Sequence, residues 1–553
     1  MMRTKIISSL EKCFLDENVQ IKKPMGKASM LKNERFSFQI CYDRSDLIDS
    51  KVIVNLKVES PLADVMKITK VQQIPSSMPT YKISVDDNYL RTAPGLYPDL
   101  LEPIRENDRL VNDNCLRTLW FEIVPDGKIK AGVYPVKLSF INADTQEIES
   151  VAETEIEIID AELPEQELIY TQWFYTDCLM QYYGVDTWSE RHWEIIKNFM
   201  ISACTYGQNM ILTPILSPEL DTYVGGYRPV TQLIDIVKKG DAYEFDFSRL
   251  GRWVDLCDEV GMKYFEISHF YSQWGATACP QVWVTEDGEY KRVFGWDTEA
   301  AGDAYKNFLT QLIPAFLKYM KEEKNGADKR CWFHLSDEPN EKHLEQYQIL
   351  SDFLKPLIKG YPMLDALSNY EFYEKGLVDH PVPGNNHIEP FLENNVPELW
   401  TYYCCGQCKE VSNRFFSMPS ARNRILGLQL YKYNIQGFLQ WGFNFYNNQY
   451  SYGTINPFVC SDGEDFVPSG DAYIVYPGTD GQPWSSLRQI VFNDGLQDMR
   501  AMKLLEKLYG REKAMEVLEA GIEPITFKKY PKDDEYILAL RRKVNEMIKA
   551  KVQ

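Results

Sequence analysis

"SERHWEIIKNFMISACTYG", residues 189–207, is an amphipathic helical run that ends in glycine. Glycine adopts the left-handed backbone that closes a helix C-terminus at low cost. Strand-like apolar runs flank it, "LIYTQWF" (168–174) before and "NMILTP" (209–214) after. Strand, helix, strand in that order is a β/α unit with parallel strands. The pattern continues. "RLGRWVDLCDEVG" (249–261) is a second glycine-ended helix, followed by "YFEISHF" (264–270) and later by "CWFHLSD" (331–337). Four more strand-like runs follow: "LDALSN" (364–369), "LVDHPV" (377–382), "LWTYYCC" (399–405) and "GFLQWGF" (437–443). Eight strands with helices between most of them predict an α/β chain built on a (β/α)8 TIM-like barrel with elaborated loops.

Residues 1–165 read differently. "KVIVNLKVES", "RTLWFEIVPD", "GVYPVKLSFI" and "TEIEIID" are short strand-like runs, several with period-two alternation, separated by turn signals. An all-β sandwich is the natural solution. "DAELPEQEL" (160–168) reads as the linker. At the other end, "SSLRQIVFNDGLQDMRAMKLLEKLYG" (485–510) supplies the last barrel helix. "DDEYILALRRKVNEMIKAKV" (533–552) has acids first and bases last, as the helix dipole favours. The expected domains are a sandwich at 1–165, a catalytic barrel at 166–510 and a C-terminal helical extension at 511–553.

Composition narrows the function. Sixty Lys and Arg stand against 80 Asp and Glu, a net charge of −20, which repels nucleic acid and anionic membrane surfaces. No stretch approaches 18 consecutive apolar residues, and the first twenty residues contain no signal-like apolar core. The 12 cysteines are scattered, several inside apolar runs, as in a reduced cytoplasmic protein. "CCGQC" (404–408) has no partner cluster at zinc spacing, and the six histidines are isolated along the chain. Neither a metal nor another cofactor is expected.

The chemistry points to "CWFHLSDEPN" (331–340). The C-terminal ends of barrel strands carry catalytic residues. Asp337 and Glu338 lie there, Pro339 stops the strand, and Asn340 can cap the next helix, "EKHLEQYQILSDFL". An Asp before a Pro is also a common helix-entry turn. Aromatic residues at other strand ends favour a site: Trp173 and Tyr175 after strand one, Trp274 after strand three, Tyr370 and Tyr373 after strand five. Tyr402 and Tyr403 lie in strand seven, and Trp441, Phe443, Asn444 and Phe445 follow from strand eight. Any one of these could be core packing. Together they suit a sugar pocket, because flat rings stack on sugar C–H faces while amides and carboxylates bind hydroxyls. The candidate sugar contacts are Trp173, Asp177, His269, Tyr370, Tyr402, Tyr403, Trp441 and Asn444.

Most glycosidases place two carboxylates across the scissile bond, ~5 to 9 Å apart. Neighbours on a strand point to opposite faces, so Asp337 and Glu338 are poorly placed for that. Strand seven, a usual nucleophile position, has no acid at its end. A 2-acetamido sugar supplies the missing nucleophile itself, its acetamido oxygen closing an oxazoline. Glu338 would then be general acid and base, and Asp337 would orient the acetamido group.

"YTQWFYTDCLMQYYGVDTWSERHW", "NMILTPILSPELDT", "HLSDEPN", "LWTYYCCGQCKEVSNRF" and "GFLQWGFNFYNN", with "YPDLLEP" nearer the N-terminus, resemble the DUF4091 family. That family includes the glycoside hydrolase family 123 β-N-acetylgalactosaminidases. The resemblance runs from about residue 90 to 510. It implies a sandwich, a barrel and substrate-assisted retention, with the family's acid pair at Asp337 and Glu338. The expected substrate is an oligosaccharide or glycoconjugate with terminal β-linked N-acetylgalactosamine. The lack of a secretion signal departs from an extracellular glycan degrader and suggests cytoplasmic trimming of imported oligosaccharides. The alternatives are a glycosidase for another sugar and a catalytically silent carbohydrate-binding barrel.

Overall fold

The computed structural model describes residues 1–45 and 51–552. The chain is a mixed α/β protein whose first part holds two five-stranded sheets. One runs Met2–Ser8, Phe36–Arg44, Arg117–Ile123, Met66–Ser76, Gly95–Pro103 in spatial order; the other runs Ala28–Leu31, Ile148–Ile159, Gly132–Asn142, Val52–Glu59, Leu110–Asn112. Alternate residues of each sheet meet in a common core: Phe38, Ile40, Leu119 and Phe121 from the first, Leu138, Phe140, Ile156 and Ile158 from the second. Register places Phe38 opposite Phe121, and their rings stack at 4.9 Å. Such a cross-strand aromatic pair helps hold the register.

The first sheet is buried on its other face too. Trp120, Tyr97, Leu100 and Ile74 point away from the second sheet and join the core of the following part. There Arg488 donates two hydrogen bonds to Asp99, at 2.8 and 2.9 Å, all of it buried. This double burial hides Gly95–Pro103 from a reading by alternation, since Tyr97 to Leu101 are buried in one continuous run.

Each of the eight runs from residue 168 onward contains a short strand: Ile169–Gln172, Met210–Thr213, Tyr264–Ile267, Cys331–Phe333, Leu364–Ala366, His380–Val382, Trp400–Tyr402 and Gly437–Gln440. They are parallel, and pairing passes from each to the next. Single bridges, Phe333 with Met363 and Gly384 with Tyr402, complete the links from four to five and from six to seven. The eighth strand pairs with the first, so the pairing returns to its start. Helices Glu190–Thr205, Ser248–Val260, Asp303–Glu322 and Leu344–Leu357 lie between the first five strands. Asn340 caps as the sequence predicts, Ser189 caps the helix that follows it, and Gly261 closes its helix at φ 89°. A four-stranded sheet formed by residues 235–246 and 282–294 elaborates the loops after strands two and three. Helix Leu487–Tyr509 follows strand eight, and Asp534–Val552 is the last helix. Among the described residues no helix is long and apolar enough to cross a membrane.

Candidate active site

Strand four ends at Phe333, earlier than the sequence predicts, and residues 334–338 run on beyond the pairing. Hydrogen bonds on both sides hold this extension in place, among them Tyr271 N–H to the Leu335 carbonyl at 3.1 Å, Trp274 N–H to the Asp337 carbonyl at 3.0 Å, and Glu338 N–H to the Ala366 carbonyl at 3.1 Å. Glu338 has φ 42°, a left-handed conformation uncommon and costly for a residue with a side chain. The strand rule of opposite faces therefore does not govern this pair. Asp337 and Glu338 line the same cavity, of about 170 Å³.

Aromatic and polar side chains form the rest of its wall. Trp173, Tyr402 and Trp441 line the cavity, as do Tyr175 and Trp274. The Tyr402 hydroxyl donates to Glu338 Oε1 at 2.9 Å. Trp441 Nε1 donates to Asp471 Oδ2 at 2.8 Å, and Trp173 Nε1 to Glu266 Oε1 at 2.7 Å. These bonds fix the orientation of both indoles.

The other sequence candidates lie outside the lining. Asp177 is buried in an ion pair with Arg228 at 2.6 Å. Asn444 brackets the backbone of Tyr175, accepting from its N–H at 2.9 Å and donating to its carbonyl at 3.0 Å. Tyr403 packs edge-on to Phe438, and Tyr370 packs edge-on to Phe391. His269 is buried, stacked on His334 with ring centroids 4.1 Å apart. The sequence separates these two histidines by 64 residues; the parallel pairing of strands three and four brings them face to face.

His334 bridges two buried acids, Nδ1 to Asp365 at 2.9 Å and Nε2 to Glu266 at 2.7 Å. Burial opposes its charge, but the hydrogen bonds to Asp365 and Glu266 outweigh it and raise its pKa to about 9. Its folded value lies above the ordinary 6.5, so this pairing adds stability in full below pH 6.5. That contribution is lost as pH rises through about 9. His269, His334 and Asp365 present ligand atoms within 4.8 Å of one another. Both ring nitrogens of His334 are already engaged, by Asp365 and Glu266.

Burial raises the pKa of Asp337 well above the ordinary carboxyl range, and the neighbouring Glu338 adds to the rise. Burial also raises Glu338, opposed by the Tyr402 hydroxyl. A carboxyl pKa raised by burial is what a general acid needs. Tyr402→Phe removes the opposing bond, so the alkaline limb of kcat/KM should move to higher pH. Lost support for the carboxylate should lower the optimum kcat/KM by about 5- to 10-fold. A pH–rate profile with an unmoved limb would show that Tyr402 does not act on the acid.

Sequence reasoning missed Asp221. It lies in the loop after strand two, lines the same cavity and has φ 47°. Its Oδ2 accepts from Tyr450 N–H at 3.0 Å, and burial raises its pKa to about 7. Nothing in "SPELDT" distinguishes this acid from other loop acids in so acidic a chain. Gln273, Tyr450, Phe466 and the thiol pair Cys404 and Cys405 also line the cavity.

Residues 173–505 match the family model described as glycoside hydrolase 123, catalytic domain, which places the chain among the glycosidases. More particularly, it belongs to glycoside hydrolase family 123. A solved structure of a family 123 glycoside hydrolase from Clostridium perfringens, determined to detail glycolipid glycan hydrolysis, has the same fold. Its TM-score is 0.73 at 15% identity, over 100% of this chain and 98% of that one. Bacteroides uniformis β-glucuronidase 2 aligns over 82% of this chain and 48% of its own, at 13% identity and a TM-score of 0.30. A family 5 mannosidase from Rhizomucor miehei aligns over 62% of this chain and 95% of its own, at 14% identity and a TM-score of 0.35. Those two scores carry no argument. No curated protein matches the chain in sequence.

Proposed function

We propose that the chain hydrolyses terminal β-linked N-acetylgalactosamine from oligosaccharides or glycoconjugates by a retaining, substrate-assisted mechanism. The observation that carries this reading is the placement of Asp337 and Glu338, adjacent in sequence, in one aromatic-walled cavity. The acetamido oxygen attacks the anomeric carbon as Glu338 gives its proton to the departing glycosidic oxygen. Asp337 accepts a hydrogen bond from the acetamido N–H and stabilises the positive charge that develops on the oxazoline ring. Glu338, now a carboxylate, takes a proton from water, which opens the ring at the anomeric carbon and restores the starting configuration. In this reading residues 1–165 form a sandwich, 166–510 a (β/α)8 catalytic barrel and 511–553 a helical extension.

Aryl glycosides with and without a 2-acetamido group test the proposal. Turnover confined to the 2-acetamido series, with N-acetylgalactosaminide fastest, is the expected outcome. Turnover of sugars lacking that group would favour a second reading, for which Asp221 is the specific observation: a further carboxylate in the same cavity, available as nucleophile. No turnover of any glycoside would leave a sugar-binding barrel.

Trp441 is expected to be a sugar platform. Trp441→Ala should raise KM about 10-fold, the worth of one aromatic stacking contact, with little change in thermal midpoint. A large fall in the midpoint would make it a packing residue instead.

A further inference from the structure

"CCGQC" has no part in the reaction derived above, yet two of its three cysteines line the catalytic cavity. Cys404 and Cys405 lie one residue beyond the seventh strand, Trp400–Tyr402. Gln407 closes a turn over them: its N–H donates to the Cys404 carbonyl at 3.2 Å, and its Oε1 accepts from Cys404 N–H at 2.7 Å. Asn413 Nδ2 donates to the Cys404 carbonyl at 2.8 Å. The pair is thus held on a fixed backbone, and both residues are half-buried. Cys408 turns elsewhere. It is buried with Phe415 and Met418, its Sγ 3.7 Å from the Gly406 carbonyl. The motif therefore presents two thiols to the cavity, not three.

Two thiols on adjacent residues suit a soft, small, pyramidal acceptor. Zinc needs four ligands, and among the described residues neither Cys408 nor a histidine completes such a set. A disulfide between adjacent residues strains the intervening peptide, because their Cα atoms lie closer than the usual bridge allows. Trivalent arsenic bearing one organic group needs only two sulfurs, and soft thiolates favour it over oxygen ligands.

We propose that Cys404 and Cys405 form a vicinal dithiol in the wall of the catalytic cavity, which captures trivalent organoarsenicals and so blocks the site. An arsenoso compound R–As=O reacts with both thiols to give R–As(S–Cys)2. Two As–S bonds form, and the oxygen leaves as water with the two thiol protons; no oxidant is consumed. The organic group then stands beside Glu338 and Tyr402, where the sugar would bind. That blockade rests on the cavity being the substrate site; the capture does not.

Phenylarsine oxide on the full chain tests both parts. Intact mass should rise by one phenylarsenic less two hydrogens, and peptide mapping should place the adduct on Cys404 and Cys405. Activity should be lost stoichiometrically and restored by 2,3-dimercaptopropanol, not by a monothiol. Cys404→Ser and Cys405→Ser should each abolish the stable adduct. If a serine variant fails to fold, the wild-type map still decides. No adduct, or one confined to other cysteines such as Cys13 and Cys41, overturns the dithiol site. An adduct at Cys404 and Cys405 that leaves turnover intact overturns the blockade. Absence of turnover before treatment would instead count against the glycosidase reading, while the mapping still decides the dithiol.

Discussion

Asp337→Asn is expected to lower kcat by about 10²- to 10³-fold, the usual cost of losing one charged transition-state contact. KM should change far less. The substitution keeps the size of the side chain, so the acetamido group can still be held in the ground state. What disappears is the negative charge, which in the proposed mechanism matters as positive charge grows on the oxazoline nitrogen. The raised pKa of Asp337 is no obstacle. An N–H donated by the substrate favours the ionised carboxylate, and His334, charged and close by, already lowers it. Substrates carrying mono-, di- and trifluoroacetyl groups in place of acetyl should react progressively more slowly with the wild-type enzyme, because the attacking oxygen becomes less nucleophilic. A flat series would sink the substrate-assisted step. A fluorosugar adduct trapped on Asp221 would replace it with a protein nucleophile.

Glu338→Gln should show an effect that depends on the leaving group. A natural glycosidic oxygen needs a proton to depart, so loss of about 10²- to 10⁴-fold is expected there, the span of general acid catalysis. An aryl leaving group that is already a weak base should escape much of that loss in the first step. Azide, added as an external nucleophile, should rescue the second step and yield a β-glycosyl azide, since it needs no base. Equal loss on both substrates, without azide rescue, would assign Glu338 another role. The left-handed backbone at Glu338 makes the pair of substitutions informative. Any change of conformation there would move both acids at once, so both enzymes should also be compared by thermal midpoint.

Much of the ring was legible because each strand is an apolar run bounded by turns, and periodicity needs no tertiary information to find it. The caps at Asn340 and Gly261 were legible for the same reason: their chemistry is local. The site was legible only where polar and aromatic types coincide with a strand end, as at Asp337, Glu338, Trp173, Tyr402 and Trp441. Asp177 and Asn444 show why that is not enough. A polar side chain beside a strand end can equally tie down its neighbours, and Arg228, 51 residues from Asp177, is the partner that engages it. Asp221 shows the converse, since only the long loop after strand two carries it to the cavity. The argument from strand alternation failed at Glu338, because the strand had already ended.

The first N-terminal sheet, buried on both faces, has a consequence for how the molecule can come apart. Trp120 and Tyr97 belong to the core of the second part, and Asp99 neutralises Arg488 within it. Removing residues 1–165 would expose that apolar face and strand a buried guanidinium without its partner. An uncompensated buried charge alone costs ~3–5 kcal/mol, a large share of the stability of an ordinary domain. The change of sequence pattern near residue 165 therefore marks a boundary of architecture but not of cooperativity. The two halves are expected to melt in one transition, and residues 166–553 expressed without the preceding sheets are expected not to fold.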